Sequence, residues 1–325
     1  MPYRILSLDG GGIRGVYTAV ILERLEREVP GFLDDIDLFA GTSTGAILAL
    51  GLAAGKKPGE LIELYRRHGR EIFSCSMLGG IGSGWGWAAS KYGNKNLKDR
   101  LKAVFDAPAR RALQLRDLRK VLVAAVDLNG TEVVAVNGKP AAVRSWRAKF
   151  FHNFPNPPGG KTDGEESVVD VALRSSAAPT YFPSYGGYVD GGVVANNPSM
   201  AAVAQAVAVG KKMEDLRLLS VGTGINLKVI PGAELDWGKA HWGKQIMDLV
   251  VDATGLVAHY QCQQILKFPN YWRLNDPLGE EIDLDDCESV ERLITLAGKV
   301  DLTRAVEWAR GDSVKPRAPG EPCGA

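Results

Sequence analysis

Several residue types that would mark a familiar kind of protein are scarce in this chain. There are four cysteines, at positions 75, 262, 287 and 323, far apart and without a C-x-x-C pair, which argues for reduced thiols rather than a disulfide framework. The 39 Lys and Arg residues against 38 Asp and Glu leave a net charge of +1, so there is no electrostatic footprint for DNA or RNA. No stretch approaches the ~20 apolar residues of a transmembrane helix. The opening MPYRILSLDGGG has too short an apolar run for a signal peptide. The acidic run 283–288 lacks the glycine of a calcium loop and reads as a solvated helix start. Together these absences predict a cytoplasmic protein.

What is present suits a globular fold: 325 residues, 45% hydrophobic and 24% charged. Apolar runs at 3–8 and 36–40 read as buried strands, each followed by a glycine turn and a helical pattern, at 16–29 and 46–54. Runs at 120–128 and 131–138 flank Asn129-Gly130 and predict a hairpin there. A later strand, 216–224, ends in another glycine turn. Further helices are expected at 60–72, 167–174, 198–209, 241–266 and 287–310, the last broken near Gly298, with Asn197-Pro198 opening the third. Strands alternating with helices predict an α/β fold of three layers, α/β/α, around a mostly parallel sheet covered on both faces. Residues 76–95, rich in Gly and Ser with Trp85 and Trp87, read as a long loop, and 311–325, with three prolines, as a disordered tail.

Two motifs carry chemistry. Gly41-Thr42-Ser43-Thr44-Gly45 has the G-x-S-x-G form of a nucleophile elbow and sits between a strand and a helix. The flanking glycines let the backbone turn sharply and expose the Ser43 hydroxyl, whose simpler role would be to cap the helix. A serine needs a base. His241 and His259 follow Ser43 but fall in a helical stretch, so a His-dependent α/β-hydrolase is the weaker alternative. Asp190 in YVDGGVV is the other candidate base, although Asp-Gly between β-type runs also signals a plain hairpin turn.

The opening DGGGIRG contains G-x-G-x-x-G at 10–15, which raises a nucleotide-binding module as a further alternative. The acidic residue that a ribose needs about 20 residues later is missing, and the second strand ends in GTSTG instead. Gly10, Gly11 and Gly12 then suit a different anion, the oxyanion of an acyl transfer. Asp9 should turn away from such a site, toward the neighbouring turn amides.

DGGGIRG at 9–15, GTSTG at 41–45, ALRSSAAPTYFP at 172–183 and DGG at 190–192, in this order, resemble the patatin-like phospholipases, with SVGTG at 220–224 also similar. The resemblance covers about residues 3–210 and is nearest to bacterial members acting as effectors of cyclic-oligonucleotide antiphage systems. It implies a single acyl hydrolase domain over 1–310, with the motifs in 3–210 and a C-terminal helical part in 211–310. It also implies a Ser-Asp dyad that needs no histidine, metal or cofactor. Ser43 matches the nucleophile, Asp190 the base and Gly10, Gly11 and Gly12 the oxyanion hole. Arg14 stands at the loop's basic position, and Gly41, Gly45, Gly191 and Gly192 support the turns. Arg174-Ser175-Ser176 is expected to be packing. The implied partners are a phospholipid or other lipid ester, a membrane surface contacted peripherally, with Trp85 and Trp87 as candidates for that contact, and a small-molecule activator.

Overall fold

The computed structural model of the chain describes residues 2–72, 90–106, 111–155, 162–230, 236 and 238–311. The first half alternates strand and helix: β1 (Tyr3–Leu8), α1 (Gly15–Glu28), β2 (Leu38–Thr42), α2 (Thr44–Ala53), α3 (Pro58–Ile72) and α4 (Asn94–Phe105). A ribbon follows, β3 (Val121–Val136) and β4 (Lys139–His152), then α5 (Val168–Ser175), β5 (Tyr188–Asp190), α6 (Gly192–Ala195) and α7 (Ser199–Ala208). The remainder is β6 (Leu216–Val221), α8 (Lys239–Leu266), β7 (Tyr271–Leu274), α9 (Val290–Gly298) and α10 (Thr303–Arg310).

The sheet runs β4-β3-β2-β1-β6-β7, with β5 attached to β3. Strands β3, β2, β1, β6 and β7 are mutually parallel, and β4 and β5 are antiparallel to β3. The expected mostly parallel sheet is therefore present. Its central strands are mostly apolar because both faces are covered. Ile5, Leu38, Ala40 and Leu218 point to a layer made by α7 and α8, where Val203, Cys262 and Leu266 meet them. Their neighbours Leu6, Leu8, Phe39 and Leu219 point the other way, into the larger core under α1, α2, α3, α5, α9 and α10. Alternation along each strand thus divides one apolar run between two cores.

The structure departs from the sequence expectations in three places. The hairpin does not turn at Asn129-Gly130: β3 continues through these residues with a shift in register between Asp127 and Gly130. The chain turns at Asn137-Gly138, where both residues have positive φ, 52° and 76°, as a tight two-residue turn between twisted strands requires. Asp190 is not in a hairpin turn either; it ends β5. The acidic run 283–288 is more than a solvated helix start, since Leu284 O accepts a hydrogen bond from Ile13 N at 2.7 Å. Trp85, Trp87, Trp237 and the tail beyond Gly311 lie outside the described residues. Among the described residues no helix is long and apolar enough to cross a membrane.

Candidate active site

Strand β3 sets the geometry of the site. On one edge it pairs in parallel with β2 as far as Thr42, opposite Ala124. On the same edge, one residue further, Ala125 pairs with Asp190, the last residue of the antiparallel β5. The two strands run toward each other and meet head to head at the carboxyl edge of the sheet, where α/β folds build their sites. Ser43 leaves β2 at this joint and Asp190 arrives at it, 147 positions later in the chain by their numbers.

The elbow at Ser43 is locally costly and is held from outside. Ser43 has φ 56° and ψ −122°, a strained conformation for a residue with a side chain, worth about 1–3 kcal/mol. It occupies the N-cap position of α2, yet its side chain caps nothing, which sets aside the simple capping role. A Cβ on Gly45 would overlap the Leu8 and Asp9 carbonyls, so only glycine lets α2 start this close to the end of β1. Ser43 N donates to Ser175 Oγ at 2.8 Å, and that hydroxyl donates to Ala124 O at 2.7 Å. The next residues hold the other half of the joint: Gly191 N donates to Ser175 O and Asp190 N to Ala177 O. Ser175, expected to be mere packing, therefore ties the serine elbow, β3 and the end of β5 together.

Asp190 is buried and accepts from Gly192 N at 2.7 Å. Burial pushes its pKa up to about 6, against the lowering by hydrogen bonds from the Ser43 hydroxyl and the Gly192 amide. None of these influences is a cation, and loss of solvation dominates. Ser43 and Asp190 line one cavity, between walls such as Ile47, Leu64, Leu97, Phe182, Val193 and Met247. It is an apolar recess into which the Ser43 hydroxyl and the Asp190 carboxyl both open.

The glycine loop lines the same cavity through Gly11 and Gly12. Among the described residues, the amides of these two donate to no backbone group. Gly10 behaves differently. Its amide already donates to Asn196 O at 3.0 Å, and an N–H so engaged is not free for a second acceptor, so Gly10 drops out of the expected trio of donors. A Cβ on Gly10 would collide with the Asn196 side chain and one on Gly11 with Thr223, whose Oγ1 donates to Gly10 O at 3.2 Å, so the two glycines let these side chains approach. At Gly12, φ is +57° and a Cβ would collide with the Leu284 carbonyl. Arg14 is buried behind the loop, its Nε donating to Gly11 O at 3.5 Å. It shares a small polar recess with Lys228, Asp248, Asp252 and Asp283. Burial lowers its pKa, and Asp252 leads the carboxylates opposing that shift.

Asp9 does turn away from the cavity, although not toward turn amides. It forms a two-pronged ion pair with Arg273 of β7, Nη2 to Oδ2 at 2.6 Å and Nη1 to Oδ1 at 3.2 Å, and Nη1 also donates to Ser220 Oγ at 2.6 Å. Both side chains are buried. Burial lowers the pKa of Arg273, but the Asp9 charge and hydrogen bonds outweigh it and leave it raised. No sequence motif marks Arg273; the one signal available was that Asp9, at the end of a buried strand, would need a cation.

None of the four histidines lines the cavity. His259 Nδ1 lies 2.9 Å from Tyr271 OH, His68 pairs with Glu71 on α3, His152 ends β4, and His241 is exposed near the start of α8. The arrangement offers an apolar cleft, a strained serine, a carboxylate with a raised pKa and two open amides.

Comparison with known proteins agrees with this chemistry. A family model described as patatin-like phospholipase matches residues 6–203. The chain is similar to a cGAMP-activated phospholipase of Pseudomonas aeruginosa, 32% identical over 98% of this chain and 90% of that one. It is similar also to protein teg of Priestia megaterium, 34% identical over 94% and 97%, and to a cGAMP-activated phospholipase of Escherichia coli, 33% identical over 96% and 91%. With its glycine loop, serine elbow and Asp190 all inside the matched residues, the chain belongs to the patatin-like phospholipase family and is a lipid acyl hydrolase.

Proposed function

We propose that the chain cleaves fatty acyl esters of membrane phospholipids with Ser43 as nucleophile and Asp190 as base. Ser43 Oγ attacks the acyl carbonyl carbon as its proton passes to Asp190. The negative charge that develops on the carbonyl oxygen is received by the amides of Gly11 and Gly12, with the N-terminus of α1 behind them. Asp190 returns the proton to the alcohol oxygen as the ester C–O bond breaks, leaving an acyl group on Ser43. Water then gives a proton to Asp190 and attacks the acyl-serine; the proton returns to Ser43 as the fatty acid leaves. Each half-reaction moves one proton out to Asp190 and back, so no other base is required.

The observation that carries this reading is that the one apolar cavity holding Ser43 also holds a carboxyl group raised to about 6. Ordinary aspartate, near 3.9, is a poor base, whereas one titrating near 6 is still ionised at neutral pH and closer to the optimum for proton transfer. The apolar walls suit an acyl chain and exclude bulk water. We take residues 1–310 as one catalytic domain, because β7, α9 and α10 complete the sheet and core begun by the first 200 residues. We place the enzyme in the cytoplasm, peripherally attached to a membrane, since its substrate lies in a bilayer. We also propose that cGAMP activates it, as the names of the two similar phospholipases from Pseudomonas aeruginosa and Escherichia coli indicate for those proteins.

The test is release of free fatty acid from phospholipid vesicles, followed by mass, with and without cGAMP. The wild-type chain should release it, more strongly with cGAMP, and Ser43→Ala should release none. Release that survives Ser43→Ala overturns the serine assignment; equal rates with and without cGAMP overturn the regulation alone.

A further inference from the structure

Strand β3 outlasts its neighbours. β2 ends at Thr42 opposite Ala124 and β5 covers only Ala125 to Asp127, after which β3 continues to Val136 and returns as β4. Since β3 is parallel to β2, the overhang projects from the carboxyl edge of the sheet, the edge that carries Ser43, the glycine loop and the cavity. A two-stranded ribbon with no third layer gains little stability of its own. This one nevertheless carries apolar side chains into solvent: Trp146 is 77% exposed and Val133 68%, with Val143 and Leu128 also exposed.

The register sorts these residues by face. Val133 pairs with Ala142, Ala135 with Pro140 and Thr131 with Arg144, and alternation along β4 puts Trp146 on the same face as Arg144, Ala142 and Pro140. That face has one cation and no carboxylate. The opposite face carries Glu132 and Lys139, and the remaining acid at the base, Asp127, is 3.8 Å from Arg147. Tryptophan beside arginine on a surface whose other residues are mostly apolar is the composition that settles at the headgroup level of a bilayer, and cations there are drawn to anionic lipid.

We propose that the β3–β4 arm is the element by which this enzyme docks on an anionic phospholipid surface, Trp146 and Val133 entering the headgroup layer and Arg144 meeting phosphate. The proposal rests on the lipid acyl hydrolase reading and adds to it the surface that meets the substrate's membrane. Because the arm and the cavity share one edge of the sheet, docking by the arm turns the cavity toward the lipid.

The test is sedimentation of the full chain with vesicles of phosphatidylcholine alone or mixed with phosphatidylglycerol, with and without cGAMP, alongside turnover of a soluble short-chain ester. Wild type should bind the mixed vesicles more tightly than the neutral ones. Trp146→Ala should weaken binding about tenfold through lost apolar burial, and Arg144→Gln about fivefold, at ~1 kcal/mol per cation near an anionic surface. Both variants should turn over the soluble ester as wild type does. The proposal fails if wild type does not sediment with either vesicle, if the variants bind like wild type, or if they lose soluble-ester turnover, which would make the arm a support for the site. If the variants change a dimer into a monomer and leave vesicle binding intact, a second copy of the chain occupies the arm and the lipid assignment is wrong. Failure of the hydrolase reading would show separately, as wild type that binds vesicles yet hydrolyses neither ester.

Discussion

Asp9 and Asp190 are two aspartates at the ends of strands, both buried, on either side of the same glycine loop. Burial acts to raise the pKa of each. They differ in what answers them. Asp9 meets both prongs of Arg273, which pair its charge and pull its pKa down, although burial still leaves it raised. Asp190 meets only a hydroxyl and an amide, so its charge stays costly and a proton is welcome there. The same residue type at similar burial is half of an ion pair with a cation beside it and, in the proposed mechanism, the base without one.

Removing the proposed base tests the contrast most severely. Asp190→Asn keeps the shape of the side chain and deletes its ability to take a proton, and turnover of a soluble ester should fall about 10⁴-fold, the scale seen when a dyad or triad carboxylate is neutralised. A loss below tenfold would show that another group accepts the Ser43 proton. Next in size is Arg273→Met, which strands a buried carboxylate and should lower stability by about 3–5 kcal/mol in urea unfolding. The double variant Asp9→Asn with Arg273→Met should recover much of that loss, because no charge remains unpaired. If Arg273→Met is harmless alone, Asp9 is not held as an ion and the comparison collapses.

The third prediction concerns the stability of Asp190→Asn. The folded pKa of Asp190, about 6, lies above its unfolded value near 3.8, so the folded state binds the proton more tightly. Above pH 6 the ionised side chain therefore disfavours folding by about 3 kcal/mol, and this cost disappears as pH falls from 6 to 4. Asp190→Asn should accordingly be more stable than wild type at pH 8 and equal to it near pH 4. A variant less stable than wild type at pH 8 would mean that the carboxylate is well served where it lies. The smallest effect is expected for Ser175→Ala, which leaves the Ser43 amide without its acceptor, worth about 1–3 kcal/mol. Its kcat should drop by about tenfold with KM little changed; a change in KM alone would remove Ser175 from the positioning of the elbow.

The parts legible in the sequence were those whose signal is local. The runs at 3–8, 36–40 and 216–224 are apolar because both their faces are buried, and each became a central strand. GTSTG lay between strand and helix as its motif requires. What escaped depends on partners distant in the chain. Two Asn-Gly pairs, eight positions apart, both signal a turn, and only pairing with β4 selects the second. Helix α4, within reach of a Gly-rich stretch, and β7, four residues of YWRL, are too short or too mixed to announce themselves. Asp190 looked like a turn because the strand it ends is three residues long and is completed by β3. What Arg273, Ser175 and the engaged amide of Gly10 do is written in no local pattern; each role is defined by what the group touches.

The head-to-head meeting of β2 and β5 on β3 has a consequence for how this enzyme can vary. The spacing of Ser43 and Asp190 is counted in rungs of one strand, so lengthening or shortening the surface segments between them leaves it untouched. Inserting a single residue between Ala124 and Ala125 would instead shift one partner by a rung and turn its side chain to the opposite face. Ser43 and Asp190 tolerate change across most of the chain that separates them in sequence, and almost none in a strand to which neither belongs.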